Sequence, residues 1–189
     1  MFYKISNIAS KDLIECTFRV SFEFPNLYKP EKLIDGLQES TVSVITSTNP
    51  SKVTYAIWGL LPEEFEDNWS VFQDEFNTLN VKMESLQNGN EVYNNALQKR
   101  RCVVIGTGFY TTLLNKGSIE KCHVHLPNFE PFPIAAIFNE LNDGFLTCSL
   151  VVTKASGSFK NIPNISNFKP LVLNDNELKN TAFGGVLMS

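Results

Sequence analysis

Apolar and polar positions alternate most clearly in the second half of the chain. CVVIGTGFYTTLL, KCHVHLP, FPIAAIF and GFLTCSLVVT are apolar or alternating runs of strand length, split by Gly, Pro and Asn turns. Such a series predicts a sheet that is closed or folded on itself. Upstream, STVSVITSTNPSKVTYAIWGLLP puts Val42, Val44 and Thr46 on one strand face. Asn49-Pro50-Ser51 reads as a turn, and Val53 to Trp58 as a second strand that pairs with or lies beside the first.

Helical spacing is sparser. Lys29-Pro30 and Gly36 bracket an expected short helix from Pro30 to Gly36. Between Glu63 and Asn80, Phe65, Trp69, Phe72 and Phe76 recur at three- and four-residue steps. That stripe predicts a helix packed on the sheet. EVYNNALQKR predicts another, with Val92, Ala96 and Leu97 facing inward and Lys99, Arg100 and Arg101 at its C-terminal end. The turn-rich last stretch holds a short strand, KPLVL, and a small helix, DNELKN, capped by Asn174. No repeat and no domain boundary is visible. The expectation is one mixed α/β domain with a β-rich centre.

Composition narrows the function classes. The chain has 189 residues, 43% hydrophobic and 19% charged, with net charge −4. It can bury a core without staples. Sixteen Lys+Arg against twenty Asp+Glu argue against a basic, non-specific nucleic-acid binder, but allow a local patch. Twenty Asn equal all the acids together, so much of the polar surface is uncharged. Cys16, Cys102, Cys122 and Cys148 lack CxxC spacing and read as reduced thiols. No apolar run approaches a membrane span, and MFYKISNIASKDLIE lacks a signal-peptide core. A cytoplasmic monomer without a cofactor is expected.

Candidate chemistry is thin on local motifs. His123 and His125 share one face of an expected strand, a pair that binds zinc only with further ligands. Cys122 points to the other face, and the pair reads as two ordinary strand histidines. Gly106-Thr107-Gly108 lacks the glycines and lysine of a phosphate loop and reads as a bulge or tight turn. A serine–histidine pair would have to form through space, and nothing local supports one. In NVKMES, Asn80 can orient a carbonyl or phosphate oxygen, with Lys82 adding charge.

Several segments nevertheless fall into one familiar order. WGLLP at Trp58 to Pro62 resembles WGLIP, NVKMES at Asn80 to Ser85 resembles NARAET, and RRCVVIGTGFY at Arg100 to Tyr110 resembles RRCLVPADGFYEW. FPIAAIF, LVVTKAS at Leu150 to Ser156, and NISNFKPLVL at Asn164 to Leu173 resemble FALAGLW, the IITTPAN strand end and IHDRMPVIL. The chain thus resembles the SRAP domain, the SOS response-associated peptidase family, over almost its whole length. The resemblance implies a single α/β (mixed α+β) SRAP-like domain over residues 1–189, with a short flexible tail. Its core would be a curved, partly barrel-like antiparallel or mixed sheet flanked by short helices. It also implies a groove for single-stranded DNA and a site that senses abasic sugars. In the family, a second-residue Cys becomes the N-terminus. Its amine condenses with the sugar aldehyde and its thiol closes a thiazolidine, while an Asn, a Glu and a His complete the pocket. Such chemistry needs a free α-amine, a nearby thiolate and a proton donor.

This sequence departs at those positions. Phe2 stands where the family has Cys, and a bulky second residue disfavours removal of Met1. Thr111 stands for the Glu of GFYEW, Ser166 for the His of IHDRMP and Phe168 for its Arg. Asn80 is kept, but Lys82 replaces an Arg and loses its two-pronged phosphate grip. Glu63, Glu64, Glu66 and Asp67 follow WGLLP and repel phosphate. Lys4, Lys82, Arg100, Arg101 and Lys169 are candidates for a residual cationic patch, and Trp58 and Trp69 for base stacking. The expectation is a SRAP-like protein without crosslinking or peptidase chemistry, with weak single-stranded DNA binding. Its alternatives are a rebuilt site using the terminal amine, Asn80, Thr111 and Ser166, or a protein-interaction module.

Overall fold

The computed structural model describes residues 2–87, 99–155 and 167–174. Most of EVYNNALQKR, the DNELKN helix and Ser166 lie outside the described residues. In chain order the elements are β1 (Lys4–Asn7), α1 (Lys11–Phe18), β2 (Ser21–Phe22), β3 (Glu31–Asp35), β4 (Thr41–Thr46), β5 (Lys52–Trp58), α2 (Trp69–Phe76), β6 (Asn80–Lys82), α3 (Met83–Gln87), β7 (Arg101–Gly106), β8 (Gly108–Asn115), β9 (Ser118–His125), β10 (Phe132–Glu140), β11 (Leu146–Lys154) and β12 (Phe168–Pro170).

Two sheets organise them. The smaller is antiparallel, in the order β3-β1-β8-β9. The larger runs β12-β11-β10-β7-β4-β5-β2, and β11 also pairs with β5, through Leu146↔Ala56 to Cys148↔Trp58. That contact is parallel, while β4–β5, β4–β7, β7–β10 and β10–β11 are antiparallel. The result is a curved mixed sheet bent into a ring that falls short of a true barrel, flanked by short helices. The apolar runs of the sequence become β7, β8, β9, β10 and β11, as expected, and β4 and β5 are antiparallel neighbours.

Strand alternation sorts the core into two clusters. Val42, Val44, Cys102, Val104, Ile134 and Ala136 join Phe2, Ile5 and Trp58 in one. Their neighbours Ile45, Val103, Ile105, Ala135 and Ile137 join Ile14 and Phe18 of α1 in the other. A period of two puts adjacent residues on opposite faces, so a strand buried on both sides feeds both clusters. Gly106-Thr107-Gly108 is where the chain leaves one sheet for the other. Thr107 is fully buried between β7 and β8, and its N–H donates to the Ser6 carbonyl at 2.7 Å.

Two expected helices are corrected. The Pro30–Gly36 stretch is strand β3, paired with β1 through Lys4↔Asp35 and Ile5↔Ile34. Its Pro and Gly punctuate it as a helix would be, but β1 supplies an edge and Ile34 a buried anchor, so tertiary pairing wins. The helix expected between Glu63 and Asn80 is confined to α2. Asn68 caps its start, accepting from the Ser70 and Val71 N–H groups at 2.9 and 3.3 Å. Asn77 ends it in the left-handed region, with φ 43°. Asn80 is therefore on strand β6, not in the helix.

Candidate functional site

Position 80 is fixed from two directions. β6 pairs in parallel with β11, placing Asn80 opposite Leu150. Just before it, the Leu79 carbonyl accepts the Trp58 indole N–H at 2.9 Å. Asn80 is thereby buried with its amide held at a set depth, and its Nδ2 donates to the Phe2 carbonyl at 2.7 Å. Its Oδ1 is buried and finds no partner among the described residues. Phe2 is only 2% exposed and meets Phe109 of β8 edge-on, with ring centroids 5.2 Å apart. Burying that ring is worth roughly 2–3 kcal/mol. Thr111 lies two residues beyond Phe109 on the same strand face, buried and paired across the ladder with Cys122.

The structure thus brings Phe2 and Asn80 into contact and puts Thr111 on the strand that carries the ring packed against Phe2. Among the described residues the contact itself is made by two phenyl rings, a carbonyl and an amide, with no thiol and no acid taking part. Cys102 and Cys148 belong to the same core cluster, but both are fully buried. Burial pushes both thiols up, Cys148 to about 12, so neither supplies a thiolate. Cys16 is exposed and Cys122 half-buried, and all four are free.

Among the described residues, two of the five expected cations are ion-paired. Lys4 is ion-paired with Asp35 at 2.7 Å. Burial raises the Asp35 carboxyl, but the Lys4 hydrogen bond and charge outweigh it and hold the group below its ordinary value. Arg100 is ion-paired with Glu63. Arg101 is buried on β7, and Lys169 is half-buried on β12. Lys82 is exposed, with its ammonium 5.1 Å from the centre of the Phe168 ring. Trp58 is fully buried and Trp69 is 7% exposed, so neither offers a free face to a base.

A second constellation has no local signal. His123 Nε2 lies 2.8 Å from the buried Ser6 hydroxyl, which is 3.3 Å from Thr107 Oγ1. His123 stacks on Tyr110 with ring centroids 4.3 Å apart, and His125 stacks on Phe129 at 4.0 Å. His123 and His125 share a face of β9, as the spacing predicts. Ser6 is fully buried, so this serine–histidine pair ties β9 to β1 and does not present a nucleophile. The 117-residue separation kept it out of reach of motif reading. Among the described residues no three His, Cys, Asp or Glu side chains converge as a metal site, and no helix is long and apolar enough to cross a membrane.

These features define a single α/β domain with a ring-like mixed sheet and a Phe2–Asn80 contact in its core. The chain belongs to the SRAP family, SOS response associated peptidase, whose model matches residues 5–181. Solved structures share the fold. A Bacteroides thetaiotaomicron protein superposes with TM-score 0.81 at 16% identity, covering 95% of this chain and 80% of that one. A Bordetella bronchiseptica protein gives 0.77 at 12% identity, covering 97% and 89%. A phage-related protein from Bordetella bronchiseptica gives 0.68 at 13% identity, covering 95% and 81%. No curated protein matches the chain.

Proposed function

We propose that this protein is a SRAP-family member without thiazolidine crosslinking or autoproteolytic activity, which binds single-stranded DNA weakly and non-covalently in the response to DNA damage. One observation carries the reading. The residue at the family's Cys position is a phenylalanine packed edge-on against Phe109, with its carbonyl held by Asn80. An amine without a neighbouring thiol forms at best a reversible imine with an aldehyde, and Thr111 lacks the acidity to move the protons. The weakness of the DNA contact follows from the charges. Of the five candidate cations, Lys4 and Arg100 are neutralised by Asp35 and Glu63, Arg101 is buried and Lys169 half-buried, which leaves Lys82, exposed beside Phe168, to meet a phosphate.

Incubation with an abasic single-stranded oligonucleotide, followed by a denaturing gel, tests the covalent half. The expected lane shows free protein and free DNA, and a heat-stable shifted band overturns the reading. Titration of undamaged single strands at two salt concentrations tests the rest. One phosphate contact gives a log–log slope of about −0.7. Tight binding with a flat salt response would contradict it.

A further inference from the structure

The loop after β5 and the β10–β11 turn line a half-open cavity of about 780 Å³ that plays no part in the Phe2–Asn80 contact. Both walls are locally built. The Asn142 N–H donates to the Glu63 carbonyl at 3.1 Å, tying the two loops together. Leu141 and Phe145 close the turn with a 2.8 Å backbone bond, and Asp143 Oδ1 accepts the Phe145 N–H at 3.1 Å. Phe65 and Trp69 contribute apolar wall, and Phe145, 63% exposed, stands at the lip. Four carboxylates, Glu39, Glu66, Asp67 and Asp143, line the same cavity, and no Lys or Arg does.

The charge here is segregated, beyond what the bulk composition gives. Between Gly59 and Val81 there are six acids and no base, while the rest of the chain sets sixteen Lys+Arg against fourteen acids. The acidic cavity face is therefore the exception on a chain that is otherwise slightly basic. Like charge repels a nucleic-acid backbone from it. Nor do the carboxylates gather on a point, since no three of them are placed to hold a metal ion among the described residues. Acids spread around an aromatic-walled concavity complement a ligand that is extended, cationic and partly apolar.

We propose that this cavity docks a basic peptide segment of a partner protein, in which one apolar side chain enters between Phe65 and Phe145 and flanking Lys or Arg side chains meet Glu39, Glu66, Asp67 and Asp143. The apolar residue supplies the buried anchor and the rim charges supply selection and encounter rate. The inference does not depend on the covalent chemistry at Phe2.

The test uses the full chain and a synthetic peptide of about ten residues, one central Leu flanked by Arg and Ser, titrated by calorimetry. Expected is saturable binding that weakens with salt. It falls about tenfold or more in Glu66→Gln/Asp67→Asn/Asp143→Asn, and likewise when the peptide's Leu is replaced by Ser. The three substitutions are at exposed positions, and the amide oxygen introduced by Asp143→Asn still accepts from the Phe145 N–H, so the variant folds; circular dichroism checks this. Undetectable binding, equal binding by the triple variant, or equal binding of a peptide with Glu in place of Arg overturns the proposal. A concentration-dependent dimer that the triple variant abolishes also overturns it, because the occupant is then a second copy of the chain.

Discussion

Asn80 Nδ2 donates to the Phe2 carbonyl across 78 residues of sequence at 2.7 Å, with both residues buried. The bond anchors the segment leading into β1 to β6. Asn80→Ala leaves that carbonyl without this donor in a buried setting, which costs about 1–3 kcal/mol. The denaturation midpoint in urea should fall accordingly with an unchanged slope. No change in midpoint would mean that the segment finds another donor.

The same contact predicts what it would take to regain the family's chemistry. Phe2→Cys removes a ring packed on Phe109 and costs about 2–4 kcal/mol, but it puts a thiol next to Asn80. Thr111→Glu returns an acid to the strand face carrying Phe109. The small side chain at position 2 permits removal of Met1, and the freed α-amine and thiol of residue 2 then condense with the sugar aldehyde, losing water, so the double variant should yield a heat-stable adduct with abasic single-stranded DNA, and the unmodified protein none. A folded double variant that gives no adduct would show that these positions do not form a working site here.

The strands were legible because a strand buried on both faces reads as an unbroken apolar run of strand length, as in Cys102–Ile105 and Ile134–Phe138. That the sheet closes or folds on itself was legible in the same run of strands, but the pairing that closes it was not: β11 meets β5 in parallel, with Cys148 opposite Trp58, a contact that no local pattern encodes. Helix α1 escaped although Ser10 caps it and Ile14 and Phe18 stand four apart on its buried face, because eight residues give too short a stripe. Asn80 was readable from its own segment as a polar group able to orient an oxygen, Phe2 only through family resemblance, and their contact only in three dimensions. The Ser6–His123 pair carried no sequence signal, since its members share neither motif nor neighbourhood.

Gly108 makes that pair possible. A Cβ built at this position would lie 2.3 Å from His123 Nε2, 2.9 Å from Ser6 Oγ and 2.9 Å from the Val124 carbonyl. The imidazole can move aside, but the ladder carbonyl is backbone and cannot do so cheaply. Gly108→Ala should therefore break the Ser6–His123 bond and destabilise the protein by about 1–3 kcal/mol. Thermal unfolding measures the cost, and NMR of the His123 ring reports the lost bond. An unchanged melting temperature would contradict the packing described.

His123 also gives the fold a pH dependence of definite sign. Burial first, then the neighbouring charges of His125 and Lys32, hold its pKa below the ordinary histidine value. The unfolded chain, titrating near 6.5, thus binds the proton more readily than the folded one. Stability rises with pH wherever the unfolded state holds more protons. The contribution is accordingly complete above about pH 6.5 and is lost as the pH falls below that value toward the folded pKa. Stacking on Tyr110 acts in the opposite sense, because an aromatic face favours the imidazolium. Urea midpoints at about pH 7.5 and 5 decide between them. His123→Gln keeps a group able to bond Ser6 but cannot titrate, so its midpoint should fall less on acidification than that of the unmodified protein. An equal or larger fall in the variant would mean that the stack outweighs burial and repulsion.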